Sequence, residues 1–367
     1  MSLQFAFRVD ASLEIGTGHV MRCLTLADKL KEYGGECIFI CRSHEGHLQE
    51  VISQRGYRAI GLPVGTEDAA PSMQSPVHAH WLGTAWSTDA AETRQALDGV
   101  IVDWLVVDHY ALDIRWERDV RSACRNLFVV DDLADRQHDC DLLLDQNLGR
   151  SDSDYTGLLT TEARMLVGPQ YALLRPEFAQ LRSESLARRR TPQLKRLLIT
   201  LGGVDKSNST GHVLRALTPS VVPPDLLITV VMGRDAPYLE DVKAQSAKIH
   251  CHTQVIVGTN NMAQLMVDSD LAIGAGGGSA WERCCLGLPC ISMVLAENQN
   301  SVTAALHEIG AAIRVDSVEE IQEFFYGLFT QGKALTFLSV ASVSASRVTD
   351  GMGATLVARQ LVKKHVL

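Results

Sequence analysis

Three times in this chain an apolar, β-favouring run leads through a glycine-containing loop into a helical pattern, an arrangement that leaves few folds open. In the first instance Phe5, Phe7 and Val9 alternate with Ala6 and Arg8, Asp10 follows, and Val20, Leu24, Ala27 and Leu30 then recur at helical spacing. Gly16 and Gly18 lie in the connection, where they let the backbone turn tightly and approach a ligand. His19 falls at the first helical turn, among N–H groups that have no partner inside the helix. The positive end of the helix dipole disfavours an imidazolium there, which suits a histidine that accepts a proton. The same pattern also serves packing alone, and a glycine pair without the full dinucleotide fingerprint does not define a site.

The alternation continues along the first half. Residues 36–42 are near-continuously apolar, as in a strand buried on both faces, 47–55 read as helix and 57–62 as a further strand. Residues 63–87 form a long polar connection, a candidate to overhang a ligand cleft. Three more apolar runs end in polar residues: Leu105-Val106-Val107 in Asp108-His109-Tyr110, Leu127 to Val130 in Asp131-Asp132, and Leu142-Leu143-Leu144 in Asp145-Gln146-Asn147. Ligands of open parallel sheets sit beyond the carboxyl ends of the strands, so Asp108, Tyr110 and Asn147 are candidates for holding a substrate. Taken singly, each serves equally well as a helix cap or turn residue.

A second series opens at Leu197 to Leu201, which leads into Gly202-Gly203-Val204-Asp205. Since 367 residues exceed what one hydrophobic core usually organises, two domains are expected. We read an N-terminal Rossmann-like domain over 1–185, a solvated linker over 186–194 around Arg188-Arg189-Arg190, and a C-terminal Rossmann-like domain over 195–367. The last helix is free to cross back to the first domain. The sharpest nucleotide signal is Ile273-Gly274-Ala275-Gly276-Gly277-Gly278-Ser279, a strand end and glycine-rich loop opening a helix. Such a loop offers unobstructed N–H groups and a positive dipole end to a diphosphate. Glu282, one turn on, could accept from ribose hydroxyls, and Glu297, Asn298 and Gln299 follow the next strand at the same sheet edge. A tight turn with close helix packing is the other reading of these glycines.

Composition narrows the partners. A net charge of −9 argues against nucleic acid and anionic membrane surfaces while leaving room for a local phosphate site. No apolar run is long enough to span a bilayer and no basic, then apolar, leader opens the chain, so a cytoplasmic, monomeric protein is expected. The nine cysteines form no Cys-x-x-Cys pair and the twelve histidines no His-Glu-x-x-His, so neither a metal nor a cofactor is expected.

Together, Phe7-Arg8-Val9-Asp10 with Ile15-Gly16-Thr17-Gly18-His19-Val20-Met21-Arg22-Cys23-Leu24, Val106 to Tyr110, Asp131 to Arg136, Tyr171 to Phe178 and Leu201 to Asp205 resemble the PseG family, hydrolases of UDP-2,4-diacetamido-2,4,6-trideoxy-β-L-altropyranose in pseudaminic acid biosynthesis. The resemblance runs to Asp350-Gly351-Met352-Gly353-Ala354. It implies a GT-B-like α/β fold, two doubly wound Rossmann-like domains facing a central cleft, with UDP on the C-terminal domain. It also implies metal-independent hydrolysis at the anomeric carbon, with His19 at the position of the family's base. On this reading Asp10 orients the imidazole or the water. Gly16, Gly18, Asp108, Tyr110, Asn147, Arg175, Gly202, Gly203, Gly276, Gly277, Gly278, Ser279, Glu282, Glu297, Asn298 and Gln299 then hold the UDP-sugar and the UDP product. Two alternatives stay open: an inverting UDP-sugar glycosyltransferase of the same fold, and a non-catalytic nucleotide-sugar-binding protein.

Overall fold

A computed structural model describes residues 2–65, 75–160, 162–218, 222–330, 332 and 334–363. The chain divides into two compact units, Met1–Leu173 with Gly353–Leu367, and Leu174–Met352.

In the first unit β1 (Gln4–Val9), β2 (Glu36–Arg42), β3 (Arg58–Leu62), β4 (Val102–Asp108), β5 (Cys124–Val130), β6 (Leu142–Asp145) and β7 (Arg164–Val167) form one parallel sheet, ordered β3-β2-β1-β4-β5-β6-β7. Phe5, Ala6, Phe7 and Val9 are all buried, because β1 lies mid-sheet with helices on both faces. The strand order reverses between β1 and β4, whose last residues Val9 and Asp108 are register partners. That switch point opens the crevice in which ligands of doubly wound sheets bind.

The helix Gly18–Glu32 buries Val20, Cys23, Leu24, Ala27 and Leu30 on one face, and carries Lys29 and Lys31 in its last turn, where cations suit the dipole. The helix Gly353–Lys363 packs beside it, with Val357, Ala358 and Leu361 in the same core. Trp104 Nε1 donates to the carbonyl of Leu361 at 3.0 Å. Gly353 admits the close approach that starts this helix, since a Cβ there would stand 2.2 Å from Ala172 O.

The second unit repeats the plan with β8 (Arg196–Thr200), β9 (Leu227–Met232), β10 (Thr253–Val257), β11 (Leu271–Ala275), β12 (Cys290–Met293) and β13 (Ala312–Val315), ordered β10-β9-β8-β11-β12-β13 and all parallel. Its switch point lies between β8 and β11, which lead into Gly202-Gly203 and Gly276-Gly277-Gly278.

Of residues 186–194 only 190–194 are an exposed connection, and it lies within the second unit, because 186–189 end a helix. The helix Pro176–Arg189 belongs to the second unit, and Arg189 is buried, donating to Leu286 O, Ser269 O and Met266 O at 3.0, 2.8 and 2.8 Å. A guanidinium fork satisfies carbonyls that helix ends leave unpaired, which is how one arginine of the run comes to be packed inside while Arg190 stays exposed. Arg188 pairs with Asp270 at 2.5 Å. The edge strands β7 and β13 escape pattern reading because each is four residues long and partly exposed.

Of the 63–87 connection, residues 66–74 lie outside the described residues. The remainder holds a 3-10 turn, Ala79–Leu82, and the start of the helix Trp86–Ala96. Among the described residues no helix is long and apolar enough to cross a membrane.

Candidate functional site

The first unit gathers its polar residues at the switch point. His19, second residue of its helix, places Nδ1 2.6 Å from Asp108 Oδ1 at the end of β4. Arg22, one turn on, donates from Nε to Asp108 Oδ2 and from Nη2 to Oδ1, both at 2.6 Å, and from Nη1 to Asp132 Oδ2 at 2.5 Å. Burial would raise the Asp108 carboxyl, but Arg22 and His19 outweigh it and hold it below the usual carboxylate range. An ionised carboxylate only accepts, so the proton between it and the ring belongs to Nδ1, and in the tautomer this selects the lone pair lies on Nε2. His19 is buried apart from 9% of its surface. Gly16, at φ +80°, and Gly18 have no heavy atom within 4 Å of an added Cβ, so the loop beside the ring is open.

Asp10 does not orient His19; Asp108 takes that place. Asp10 Oδ1 accepts from Arg8 Nη1 at 2.5 Å and from the backbone N–H of Arg42 at 2.7 Å. Its Oδ2 stands 3.1 Å from His109 Nε2, an ion-pair distance without hydrogen-bond alignment. Arg8 in turn grips Asp89 through Nε and Nη2 at 3.0 and 2.5 Å, and Trp116 Nε1 donates to the same carboxylate at 2.9 Å. Arg8, Asp10, Asp89 and Arg42 are wholly buried, so the network ties β1 and β2 to the helix Trp86–Ala96. Arg8 and His109 overcome burial and keep the Asp10 carboxyl well below its ordinary range.

The other candidates of this unit are also spoken for. Tyr110 donates its hydroxyl to Asp132 Oδ2 at 2.8 Å and sets its ring edge-on to His19, centroids 4.7 Å apart. Asn147 Nδ2 donates to Asp132 O at 2.8 Å, so Asn147 holds the β5 and β6 ends together. Asp145 accepts from the Asn147 N–H at 2.9 Å and from the Tyr155 hydroxyl at 3.0 Å. Burial, with Asp132 nearby, pushes its carboxyl up to about 7.

In the second unit Gly202, at φ +99°, and Gly203 are exposed after β8, and Gly233 N–H donates to Gly203 O at 2.9 Å. After β11, Gly276 is required by packing, since a Cβ would meet Thr303 Oγ1 at 2.2 Å. Gly278 is exposed with nothing within 4 Å of such a Cβ, and Gly277 lies near the Gln299 amide. Ser279 opens the next helix and accepts from Arg283 Nη1 at 3.1 Å. Arg175 ion-pairs with Glu177 and Glu282 at 3.1 and 3.3 Å. Burial raises the Glu282 carboxyl despite that arginine. Glu297 and Asn298 are exposed in a 3-10 turn, where Gln299 Oε1 accepts from Leu295 N–H at 3.1 Å. The glycine loops after β8 and β11 thus flank one switch point with free backbone, the setting a phosphate needs.

Arg22, Asp132 and Trp81 were not singled out by sequence. Arg22 had a legible signal, since it lies three residues beyond His19 and therefore on the same helix face. Trp81 had none, being brought to the ring by the fold of a distant segment, whereas Asp132 carries the same strand-end signal as Asp108.

Two Rossmann-like units, each a parallel sheet between helices, make this a protein of the GT-B class. The chain superposes on the crystal structure of Acinetobacter baumannii MurG with a TM-score of 0.67 and 15% identity, covering 99% of this chain and 100% of that one. It matches Neisseria meningitidis UDP-GlcNAc 2-epimerase, solved bound to UDP-GlcNAc, with a TM-score of 0.63 and 11% identity over 99% of this chain and 100% of that one. In sequence it is similar to the UDP-2,4-diacetamido-2,4,6-trideoxy-β-L-altropyranose hydrolase of Campylobacter jejuni, 25% identical across 84% of this chain and 97% of that protein. The resemblance carried by the motifs therefore extends over most of the chain. It is also similar to the spore coat polysaccharide biosynthesis protein SpsG of Bacillus subtilis, 32% identical over 41% of this chain, and to an uncharacterised Methanocaldococcus jannaschii protein, 26% identical over 81%. The matched stretches span 43% and 56% of those two relatives. No protein-family model matches the chain.

Proposed function

We propose that this chain is an enzyme acting on nucleotide sugars, and specifically that it hydrolyses UDP-2,4-diacetamido-2,4,6-trideoxy-β-L-altropyranose to UDP and the free diacetamido sugar, a step of pseudaminic acid biosynthesis. The observation that carries the reading is the 2.6 Å contact of His19 Nδ1 with Asp108, which leaves Nε2 as the basic nitrogen at the mouth of a ligand crevice. Water attacks the anomeric carbon on the face opposite UDP and gives a proton to His19 Nε2. The bond from that carbon to the β-phosphate oxygen breaks, and its electron pair leaves with UDP. A placed base of this kind contributes roughly 10²–10⁴-fold. Asp108 and Arg22 are positioning residues, holding the ring in one tautomer. In the second unit, backbone N–H groups of Gly276, Gly277, Gly278 and Ser279 suit a diphosphate without a metal. Similarity to the Campylobacter hydrolase supports both substrate and bond cleaved.

The test is incubation with this UDP-sugar and no acceptor, following UDP and reducing sugar by NMR. Equimolar release supports hydrolysis. Release only when an alcohol acceptor is added makes the chain a glycosyltransferase, and tight binding without release makes it a nucleotide-sugar-binding protein.

A further inference from the structure

We propose that Trp81, set in place by Tyr110 and His78, selects the sugar by receiving an N-acyl methyl or a deoxy carbon against its indole ring. This rests on the hydrolase reading and adds its specificity element. Most polar groups around His19 are engaged with one another: Asp108 with His19 and Arg22, Asp132 Oδ2 with Arg22 and Tyr110, Asn147 with the Asp132 carbonyl, while Asp132 Oδ1 has no partner among the described residues. Among the described residues, aromatic rings also stand beside the imidazole. The Trp81 ring stacks on Tyr110, centroids 5.6 Å apart and planes 23° apart, and meets the His19 ring edge-on at 6.5 Å. His78 packs edge-on against Trp81 at 4.5 Å. Burial keeps the His78 imidazole low, so an uncharged edge faces the indole.

The turn carrying Trp81 is a fixed part of the wall. Leu82 anchors it in the core, Trp81 N–H donates to His78 O at 2.9 Å, and Gly65 N–H donates to Gly83 O at 3.0 Å, joining the two ends of the connection. Gly83 makes the reversal at φ +66°. Trp81 itself is left partly open. Among the described residues His78 Nδ1 is buried without a hydrogen-bond partner. A hydroxyl pressed against these ring faces loses hydrogen bonds to water, whereas a methyl group loses none, so the wall favours acylated and deoxygenated sugars over fully hydroxylated ones.

The experiment compares Trp81→Ala and Trp81→Phe, each in a His19→Ala background that leaves the sugar uncleaved. Calorimetric Kd values are taken for UDP, for the diacetamido UDP-sugar and for its counterpart with a free 4-amine. A methyl-sized contact discriminates roughly 10–200-fold. The alanine variant is expected to weaken the diacetamido sugar by at least ~10-fold and to narrow its preference over the free amine, while phenylalanine restores most of both and UDP alone is unchanged. Unaltered affinities, or an equal loss for UDP, overturn the proposal. Turnover is measured in parallel with His19 intact. Preserved hydrolysis without a change in discrimination overturns only the role of Trp81, whereas absent hydrolysis in the unmutated chain overturns the reaction.

Discussion

Replacing Asp108 with asparagine isolates the tautomer argument. The carboxylate accepts three bonds of 2.6 Å, one from His19 Nδ1 and two from the Arg22 fork. An amide has one accepting oxygen, so its NH₂ must face either Arg22 Nε or the ring and Arg22 Nη2. If its oxygen stays on Arg22 Nε, its NH₂ faces the ring, which moves its proton to Nε2 and loses the basic nitrogen. We expect turnover to fall ~10²–10⁴-fold, about 3–5 kcal/mol of activation free energy, with UDP affinity preserved. Removing one partner of a buried charge pair destabilises by ~3–5 kcal/mol, and the Arg22–Asp132 contact at 2.5 Å puts this case at the lower end.

The pH dependence has a definite sign. The folded-state carboxyl lies below its unfolded value, so its stabilisation is complete above the unfolded value of about 3.9 and fades as pH falls through the folded one. The gap in unfolding free energy between the two proteins should therefore be flat from neutral pH to about 4.5 and shrink below that. Rates of UDP release and urea unfolding curves are the measurements. A folded asparagine variant that keeps more than about a tenth of wild-type turnover refutes the reasoning.

Gly278→Ala should leave stability within ~0.5 kcal/mol, because a Cβ there meets nothing within 4 Å, yet lower UDP affinity tenfold or more; unchanged calorimetric affinity removes the loop from the phosphate site. Gly276→Ala, 2.2 Å from Thr303 Oγ1, should cost ~1–3 kcal/mol in stability as well, seen as a lower midpoint of chemical unfolding. Asp145 has the opposite sign to Asp108: its carboxyl is pushed up to about 7, so stability is present at acid pH and lost as pH rises through that value. Asp145→Asn should flatten this decline, by at most about 4 kcal/mol, and unfolding curves of equal slope with pH in both proteins would contradict it. Leu361→Ala, from a wholly buried site on the C-terminal helix, should destabilise by ~2–5 kcal/mol; a loss under 1 kcal/mol in denaturant would show that this helix is not part of the first core.

Much of this molecule is legible along the chain because its information is local. The period-two and near-continuous apolar runs mark β1, β2, β9 and β10, and glycines after β8 and β11 mark where backbone must stay bare. His19 is legible for the same reason, since its place at a helix start follows from its neighbours. Its partner is not. Asp10, nine residues away, looked the natural companion, but hydrogen bonding across the sheet sets β1 beside β4 and brings Asp108 to the ring while Asp10 turns to Arg8 and Arg42. Trp81 reaches the same place from a connection with no pattern at all, and Arg189 enters the interior because helix-end carbonyls from residues about 80 to 100 positions onward need a donor. Apolar spacing sets which segments become strands and helices; which side chains meet depends on strand order and on pairing of buried charges, and those are properties of contacts between segments far apart in the chain.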